Sequence, residues 1–488
     1  MNGDGKSDDL IVPEKPANKG AFAPAEWAEE RRSTKGNLQD RNMDRTQSRA
    51  TMPSALERIR EAARKDRGLR FTSLWHHVYD TNRLAEAYRS LRPEAAVGVD
   101  GVTWRDFGRG LRDNLEDLSA RLQRGAYRAK PVRRVEIPKA DGGIRPLGVP
   151  SLEDKIVQKA TLMVLESIYE VDFLGFSYGF RPGKGPHRAL DAVSVGVERL
   201  KVNWVLDADI RGFFDAIDHE WMIRFLEHRI GDQRVIRQIR KWLKAGALVE
   251  GKVEHSEAGT PQGGIISPLL ANIYLHYVFD LWAHQWRNRR AVGAVMIVRY
   301  ADDFLVGFES KRDAALFQND LVERFKRFGL ELHSDKTRLI EWGRRAATNR
   351  RRRNEGKPET FSFLGLRHFC TTDRKGWFKV GRRSDKARMR KKLQGIRAEL
   401  RRRMHEPINL VGKWLQRVLR GYYAYYAVPG NLHLLRVFRK QVVRAWLLVL
   451  KHRGQKDRTT WRYMRKLKRQ YIPQPNVMHP YPSERLRV

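Results

Sequence analysis

The sequence predicts an α+β fold in the central part of the chain, followed by a helical and strongly basic C-terminal part. Apolar segments at residues 203–210 and 294–308 have the length and composition of strands, and segments with helical periodicity alternate with them. Beyond about Trp377 the strand signals fade and the pattern becomes helical. The predicted C-terminal helices span residues 382–403, 410–426, 432–451 and 460–470.

The N-terminal part begins with a polar stretch. Residues 1–50 contain three prolines and few apolar clusters, which predicts a flexible extension. Residues 55–96 have the apolar periodicity of helices. A turn is predicted at residues 98–101, where two glycines enclose a Val-Asp pair.

A hairpin and a long helix are predicted next. Residues 135–138 predict an edge strand, because they end in a proline, which has no amide hydrogen for a strand ladder. The sequence Asp-Gly-Gly at residues 141–143 predicts a tight turn, and residues 144–147 the returning strand. A helix is predicted at residues 153–170.

The charge is strongly positive and unevenly distributed. The chain of 488 residues has 96 Lys and Arg against 57 Asp and Glu, which gives a net charge of +39. Residues 344–488 hold 40 of these cations and 8 of these anions, so this part alone carries +32. A solvated basic surface is the plainer interpretation, but solubility needs far less charge. The excess therefore predicts a polyanionic partner, that is, a nucleic acid.

Composition also excludes several classes of protein. Cys370 is the single cysteine, so a disulfide framework and a cysteine-rich zinc module are excluded. No uncharged apolar run approaches about 18 residues, so no membrane span is predicted. The N-terminus lacks the apolar stretch of a secretory signal. The expected compartment is therefore the bacterial cytoplasm, with an organelle as the alternative.

Three aspartates are candidates for a metal centre. Alternation along the strand at residues 203–210 puts Asp207 and Asp209 on one face, and Asp302 and Asp303 lie at the tip of the second apolar segment. Nucleotide addition is an in-line phosphoryl transfer that two metal ions about 3.5–4 Å apart stabilise, and Mg2+ prefers carboxylate oxygens. An Asp pair alone is common in turns, but the strand that carries Asp209 favours a metal site. Asp207 is interpreted as an ion-pair partner.

Ordered sequence blocks connect these aspartates to a known family. The blocks are Gly98-Val99-Asp100-Gly101-Val102-Thr103, Ile137-Pro138-Lys139, Arg145-Pro146-Leu147, Tyr178-Gly179-Phe180-Arg181-Pro182, Asp209-Ile210-Arg211-Gly212-Phe213-Phe214-Asp215, Thr260-Pro261-Gln262-Gly263-Gly264-Ile265-Ile266-Ser267-Pro268, Tyr300-Ala301-Asp302-Asp303, Asp335-Lys336-Thr337 and Phe363-Leu364-Gly365. In this order they resemble the reverse transcriptases, and specifically the group II intron-encoded reverse transcriptase/maturases. The resemblance runs from about Gly98 to Asn476.

The resemblance implies a right-hand polymerase with fingers and palm, followed by an α-helical thumb/maturase domain. The expected divisions are residues 1–50 as a flexible extension, 51–130 as the N-terminal helical part of the fingers, 131–370 as fingers and palm, and 375–488 as the basic thumb/maturase domain with the C-terminal tail. The family carries Mg2+ on residues that match Asp209, Asp302 and Asp303, with the carbonyl of Ile210 as a further ligand.

The resemblance also implies a nucleotide pocket. Lys139 and Arg145 match residues that meet the incoming triphosphate, and Gln262 matches a residue that lines the pocket. Phe214 matches the ring that excludes a ribose 2′-OH and so favours dNTPs, although the preceding phenylalanine is an alternative for that role. Lys336 matches a candidate proton donor to pyrophosphate. Both lysines are also compatible with an ordinary surface position.

The C-terminal part looks like the maturase region of the same family. A helix with Lys413, Arg417 and Arg420 beside Tyr422 and Tyr423 offers phosphate contacts and stacking surfaces for RNA. Packing of tyrosines in a core is the alternative for this cluster. The arginine run at residues 350–353 is interpreted either as a mobile insertion or as an RNA-contacting loop.

The function expected from the resemblance is that of an RNA-directed DNA polymerase. It would copy group II intron RNA into DNA with a DNA primer and dNTPs, and bind that RNA to promote its splicing and mobility into a DNA target. No Cys pairs or His-Asn-His cluster follow the maturase region, so the HNH endonuclease of longer family members is not expected. A reverse transcriptase with another role, such as phage defence, and an RNA-binding splicing factor without catalysis are the alternatives.

Overall fold

The structure is a computed structural model, and it mixes helices with three β-sheets. It describes residues 54–138, 144–245, 247–249, 252–254, 259, 263–453 and 460–486. The predicted extension at residues 1–50 lies outside these ranges, as do Lys139 and Gln262. Within them, the mixture of helix and sheet confirms the predicted α+β composition.

The strands are labelled in chain order. They are β1 (Val132–Pro138), β2 (Ile144–Val149), β3 (Trp204–Ala208), β4 (Ala247–Val249), β5 (Lys252–Glu254), β6 (Val295–Tyr300), β7 (Asp303–Phe308), β8 (Arg338–Glu341), β9 (Phe361–Phe363), β10 (Leu366–Thr372) and β11 (Phe378–Ser384).

The helices are labelled in the same way. They are α1 (Ala55–Lys65), α2 (Trp75–Tyr79), α3 (Thr81–Ser90), α4 (Trp104–Gly108), α5 (Leu111–Gln123), α6 (Leu152–Asp172), α7 (Pro186–Arg199), α8 (Phe213–Ala216), α9 (His219–Glu227), α10 (Gln233–Lys244), α11 (Ser267–Leu275), α12 (Leu281–Arg289), α13 (Lys311–Arg327), α14 (Ala346–Arg352), α15 (Lys386–Arg402), α16 (Ile408–Tyr426), α17 (Leu432–Lys451), α18 (Trp461–Tyr471) and α19 (Pro482–Arg485). A π-helical turn, His276–Asp280, joins α11 to α12.

The central sheet has the strand order β6-β7-β3-β8, and all its neighbours are antiparallel. Leu206 and Phe304 belong to a core on one face of this sheet, whereas Val205 and Leu305 belong to a second core on the other face. Because successive side chains of a strand point to opposite faces, a sheet covered on both sides needs strands that are apolar throughout. This burial explains the apolar segments from which both strands were predicted.

A second sheet has the order β2-β1-β4-β5. It confirms the hairpin predicted between residues 135 and 147, because β1 and β2 pair antiparallel. The prediction that β1 is an edge strand is wrong, because β1 lies between β2 and β4. The parallel pairing with β4 covers Val132 and Arg133, so Pro138 lies at the other end of β1, where a missing amide hydrogen disturbs no bond to β4.

A third sheet has the order β11-β10-β9 and packs on the second core. It corrects the prediction that strands end near Trp377 and that a helix begins at Arg382. Arg382 and Arg383 belong to β11, which pairs with β10 through seven residues. The helix begins only after Asp385, whose side chain accepts a hydrogen bond from the amide of Arg388 and caps α15.

The predicted N-terminal helices and the helix near residues 153–170 are present. The helical stretch at residues 55–96 forms α1, α2 and α3, and the N-terminus of α1 is fixed by a capping box between Ser54 and Glu57. α6 extends over 21 residues and is buried along most of its length. Its side chains join the first core, which also receives the inner faces of α1 to α5.

The C-terminal helices form a third core. The predicted helices correspond to α15, α16, α17 and α18, with boundaries that differ by a few residues. Leu415, Leu419, Leu435 and Trp446 are buried in this core. Among the residues that the structure describes, no helix is long and apolar enough to cross a membrane.

The structure predicts a pH-dependent contribution of His368 to stability. His368 is fully buried against the ring of Phe361, and burial, with the nearby Arg382, lowers the pKa of His368 to about 3. Its pKa in the unfolded chain is near 6.5, so the neutral ring contributes stability above pH 6.5 that is lost as the pH falls. We expect that His368→Phe loses about 1.4 kcal/mol less stability than the wild type between pH 7.5 and 5.5.

Urea unfolding of both proteins at the two pH values measures this difference. Other titrating groups are shared by the two proteins and cancel in the comparison. Equal losses of stability in the variant and the wild type would show that His368 is not held neutral by the fold.

Candidate active site

Strand pairing brings the predicted carboxylates together at one end of the central sheet. β3 and β7 are antiparallel, with Ala208 opposite Phe304. One further step in this register places Asp209 opposite Asp303, and directly opposed side chains have Cβ atoms about 4.5–5.5 Å apart. Both side chains point to the face of the second core, since residues two apart share a face. The structure therefore juxtaposes two aspartates that are almost a hundred positions apart in sequence.

The turn that carries Asp302 is tight. β6 and β7 pair up to Tyr300 and Asp303, which leaves Ala301 and Asp302 as a two-residue loop. Ala301 has a φ of +58°, a left-handed conformation that L-residues adopt only under constraint. One constraint is Gly179, because a Cβ on that residue would overlap with the backbone nitrogen of Ala301 and lie 2.9 Å from the carbonyl carbon of Tyr300.

Lys336 reaches the carboxylate of Asp209. Its ammonium Nζ lies 2.9 Å from Oδ2 of Asp209, and both side chains are open to solvent. The loop that carries Lys336 is attached to the end of β3, because the amide of His333 donates to the carbonyl of Asp209 at 2.8 Å. The structure thus places Lys336 at the predicted metal centre, rather than at an unrelated part of the surface.

The carboxylates repel one another. The pKa of Asp303 is raised to about 7, first by loss of hydration in the cleft and then by the charges of Asp302, Asp209 and Asp207. Asp303 is nonetheless exposed to solvent, so an ion can reach it. The carboxylate of Asp207 forms an ion pair with Nη2 of Arg338 at 3.5 Å, in keeping with its interpretation as an ion-pair partner.

The donor chemistry of this cluster suits a hard cation. Carboxylate oxygens are the ligands that Mg2+ prefers, and it usually keeps waters and substrate phosphates besides one or two carboxylates. Within the ranges that the structure describes, no group of three or more His, Cys, Asp or Glu side chains is arranged as a ready metal cage. An open carboxylate cluster with a raised pKa at Asp303 fits a metal that arrives together with substrate oxygens.

The segments that carry the predicted nucleotide-pocket residues lie close to one another. Phe213 is buried in the first core, whereas the ring of Phe214 is half-exposed, which separates the two candidate phenylalanines. The segment around Gln262 is flanked by two glycines. A Cβ on Gly259 would lie 3.0 Å from the carbonyl oxygen of Phe214, and a Cβ on Gly263 would lie 2.5 Å from that of Gly148 in β2.

Three residues of the predicted pocket lie at or beyond the limits of the described residues. Arg145 has its backbone in β2, opposite Ile137 of β1, and its side chain is outside the description. Lys139 and Gln262 lie outside it altogether. Their assignment to the nucleotide therefore stays a prediction from sequence.

Sequence reasoning missed a buried cation directly behind the turn. Arg299 lies in β6, is 0% exposed, and forms an ion pair with Asp280, which is also 0% exposed. An arginine in an otherwise apolar strand was the available signal, since a buried charge requires a partner. Sequence reasoning also missed Phe180, a 54% exposed ring with a φ of +58° that follows Gly179.

The C-terminal predictions divide into two groups. Lys413, Arg417 and Arg420 are exposed on α16, spaced so that they share one face. Tyr422 and Tyr423 are 8% and 3% exposed in the third core, so the prediction that they contact RNA is wrong for their rings. Their burial follows from the apolar face of α16, which packs on neighbouring helices.

The arginine run at residues 350–353 is bound within the protein in part. Arg353 forms an ion pair with Glu341, and Arg350 lies 3.4 Å from Glu355. The two arginines between them are exposed at the end of α14. The run therefore forms the end of a helix, and Arg351 and Arg352 present their cations to solvent.

The chain is similar to several known proteins. Residues 137–368 match the family described as reverse transcriptase (RNA-dependent DNA polymerase). Protein YkfC of Escherichia coli strain K12 is 36% identical over 276 residues, which covers 50% of this chain and 72% of that protein. The group II intron-encoded protein LtrA of Lactococcus lactis subsp. cremoris is 36% identical over 222 residues, covering 45% of this chain and 37% of LtrA.

A plant relative extends the comparison to organelles. Nuclear intron maturase 3, mitochondrial, of Arabidopsis thaliana is 32% identical over 132 residues, covering 26% of this chain and 18% of that protein. The match thus spans most of YkfC but well under half of LtrA and of this maturase.

The contact between Gly179 and Ala301 leads to a test of the turn. We expect Gly179→Ala to destabilise the protein by about 1–3 kcal/mol, because the new methyl group meets backbone atoms that cannot move aside without shifting the turn. Urea unfolding followed by circular dichroism measures the loss.

Gly395→Ala in α15 is the matched control. A Cβ on Gly395 meets nothing within 4 Å, so this substitution should raise stability by about 0.5–1 kcal/mol through helix propensity. Equal effects of the two substitutions would contradict the close approach of Gly179 to the turn.

Proposed function

This chain belongs to the reverse transcriptase family, in the group encoded by group II introns, and we propose that it copies intron RNA into DNA at Asp209, Asp302 and Asp303. The observation that carries the proposal is the register of β3 and β7, which sets Asp209 opposite Asp303 beside the turn with Asp302. A cluster of acids in which burial, and then the charges of the neighbouring carboxylates, raise the pKa of Asp303 to about 7 is suited to cations rather than to structural support.

We propose that Mg2+ is held by these three carboxylates, with the carbonyl of Ile210 as a further ligand. The bound metal supplies stabilisation of the attacking and leaving oxygens in phosphoryl transfer. The carboxylates orient that charge at the end of the sheet, and Lys336 contributes a proton to the pyrophosphate side. Its Nζ already lies 2.9 Å from Asp209, so a small movement of a flexible side chain would bring it to a phosphate held by a cation beside that carboxylate.

The nucleotide pocket is proposed to lie between β2, α8 and the segment around Gln262. Lys139 and Arg145 meet the triphosphate, and Gln262 lines the base side. Phe214 restricts the ribose 2′ position, so the pocket favours dNTPs over rNTPs. The half-exposed ring of Phe214 and the fully packed ring of Phe213 support this choice between the two.

The layout follows from these positions. We assign the fingers to the part that includes β1 and β2, the palm to the central sheet, and the thumb to α15, α16 and α17. A groove of about 470 Å³ between α15 and α16 supports the thumb assignment, because Arg388, Lys391 and Lys392 line it together with Trp414. Cations and an exposed aromatic edge are what template and primer strands contact.

We propose that the same basic part binds structured intron RNA and promotes its splicing. Lys413, Arg417 and Arg420 form an exposed cationic row, and residues 344–488 carry +32. Relatives are named as a group II intron-encoded protein and as an intron maturase. Splicing is RNA chemistry, so the protein acts through a higher affinity for the folded RNA than for its unfolded forms. A DNA target for intron mobility belongs to the same proposal.

A purely RNA-binding splicing factor is the second candidate, and a reverse transcriptase with a defence role is the third. The carboxylate cluster opposes the RNA-binding factor without catalysis. Relatives whose names refer to introns oppose the defence role. The relatives come from bacteria and from organelles, so both compartments are consistent with the family.

Asp302→Ala should abolish DNA synthesis. We expect primer extension on an RNA template with Mg2+ and dNTPs to fall about 1000-fold or more, because a carboxylate that holds the metal contributes several kcal/mol to the transition state. Asp117→Ala, at an exposed position on α5, is the control and should retain full activity. Equal primer extension by Asp302→Ala and the wild type would refute the catalytic assignment. Intron splicing should survive the Asp302 substitution.

Neutralising the cationic row should weaken RNA binding in a salt-dependent way. The test is the triple variant Lys413→Gln, Arg417→Gln and Arg420→Gln. The negative slope of the logarithm of the RNA association constant K against the logarithm of the salt concentration should become shallower by about 2, or about 0.7 for each lost phosphate contact. Filter binding of the intron RNA at several salt concentrations measures it, and splicing should fall in parallel.

A triple variant on α10 controls for the loss of net charge. Arg237, Arg240 and Lys244 have similar helical spacing and are also exposed. Replacing them with glutamine should leave the salt slope unchanged. The same decrease in both triple variants would show that RNA responds only to overall charge, which would contradict a binding surface on α16.

A further inference from the structure

We propose that Arg299 is a positioning residue that fixes the turn of Asp302 and Asp303, and that the π-helical turn His276–Asp280 exists to supply its partner. Its guanidinium donates a hydrogen bond to the carbonyl of Ala301 at 2.9 Å. Ala301 is the left-handed residue of the turn, so this bond holds the one peptide whose conformation is least favourable without support. The inference rests on the proposed function, because it concerns the geometry of the same carboxylates.

Arg299 is held on every side. Nε and Nη2 contact the two carboxylate oxygens of Asp280 at 2.6 and 2.5 Å, a bidentate pair with restricted geometry. Nη1 also donates to Oδ1 of Asn272 at 3.0 Å, and Nη2 to Oγ of Ser177 at 2.7 Å. A side chain with these partners has a single orientation, and it transmits that orientation to the Ala301 carbonyl.

The π turn explains how two helical residues meet one guanidinium. Asn272 and Asp280 are eight positions apart, which in a regular α-helix would turn their side chains about 80° away from each other. The amide of Leu281 donates to the carbonyl of His276, five residues earlier, so the helix absorbs one extra residue there. With one residue absorbed, the rotation about the helix axis from Asn272 to Asp280 is that of about seven residues. The two side chains then point in directions within about 20° of each other.

The same group of residues fixes the segment that covers the turn. The side-chain Nδ2 of Asn272 donates to the carbonyl of Gly179 at 2.7 Å, and Gly179 is the residue whose missing Cβ admits the backbone of Ala301. Ser177 pairs with Arg299 through the backbone as well, in a parallel bridge. Arg299 therefore connects the turn, the helix behind it and the segment above it.

Arg299 acts through geometry and not through its charge. Asp280 neutralises it at hydrogen-bond distance, and the cation that lowers the pKa of Asp303 is Arg388. Removing both charges of the buried pair should therefore leave the electrostatics of the carboxylates nearly unchanged while it releases the turn. This separation makes the proposal testable.

The test variant combines Arg299→Met with Asp280→Leu. Replacing a buried ion pair with apolar side chains of similar volume is often tolerated, whereas removal of one partner leaves an unpaired buried charge. The matched control combines Arg229→Met with Asp172→Leu. Arg229 also forms a buried ion pair, at 2.9 Å, and donates to the backbone carbonyls of Arg67 and Leu69, but it has no bond to the turn.

Three measurements separate positioning from stability. Hydrogen exchange of the peptide that contains residues 300–305 should be faster in the test variant than in the control. Mn2+ binding, followed by electron paramagnetic resonance without substrate, should weaken about 10-fold or more, as for other residues that orient metal ligands. The Mg2+ concentration for half-maximal primer extension should rise by the same factor, with KM for the RNA–primer substrate unchanged. The control should match the wild type in all three.

Exchange, Mn2+ affinity and Mg2+ dependence equal to those of the wild type in the test variant would overturn the proposal. If the double variant does not fold, Arg299→Lys takes its place, because one ammonium keeps the charge but cannot serve the five acceptor atoms of the guanidinium. It should show the same three changes to a smaller extent, and unchanged values would again overturn the proposal. A wild type without DNA synthesis would refute the proposed function, whereas hydrogen exchange would still test Arg299.

Discussion

Repulsion among acidic side chains is the constraint on which the arrangement of the central sheet depends. The register of β3 and β7 holds Asp209 opposite Asp303, and the tight turn adds Asp302. Like charges at this separation oppose folding, and the pKa of Asp303 is raised to about 7 by lost hydration and then by these neighbouring charges. Only a rigid frame keeps such a cluster in place, and the apolar strands with two covered faces provide it.

The cations on the two sides of the carboxylate cluster differ in exposure and in pairing. On the open side, Lys336 and Arg338 contact Asp209 and Asp207 as solvent-exposed cations that can exchange with a ligand. On the buried side, the charge of Arg299 is cancelled by Asp280. The interior therefore holds the turn without competing for the carboxylates. The attraction of the cluster for cations is directed outward, toward the solvent-exposed side on which we propose that metal and substrate bind.

The sequence predicted what depends on local pattern. Alternation and apolar runs identified β3 and the β6–β7 hairpin, because both faces of these strands are buried. It could not predict Asp280 as the partner of Arg299, since their alignment depends on a π turn that has no clear sequence signature. β11 was missed because its arginines suggested the basic surface of a helix. Its conformation is instead set by seven residue pairs with β10. Those pairings are non-local.

The burial of Tyr422 and Tyr423 changes how the basic part of the chain can bind nucleic acid. Val411, Leu415 and Leu419 form an apolar stripe on α16 that continues into Tyr422, so this face packs inward and the cations face outward. Aromatic contact must then come from another ring, and Trp414 lines the groove with Arg388, Lys391 and Lys392.

Arg388, at the start of α15, lines this groove and also lowers the pKa of Asp303, so the groove and the carboxylate cluster share one cation. A helix of 17 residues is about 25 Å long, which matches about seven nucleotide steps of a strand. We propose that Arg388, Lys391 and Lys392 lie along the path that a template and its product take away from the active site.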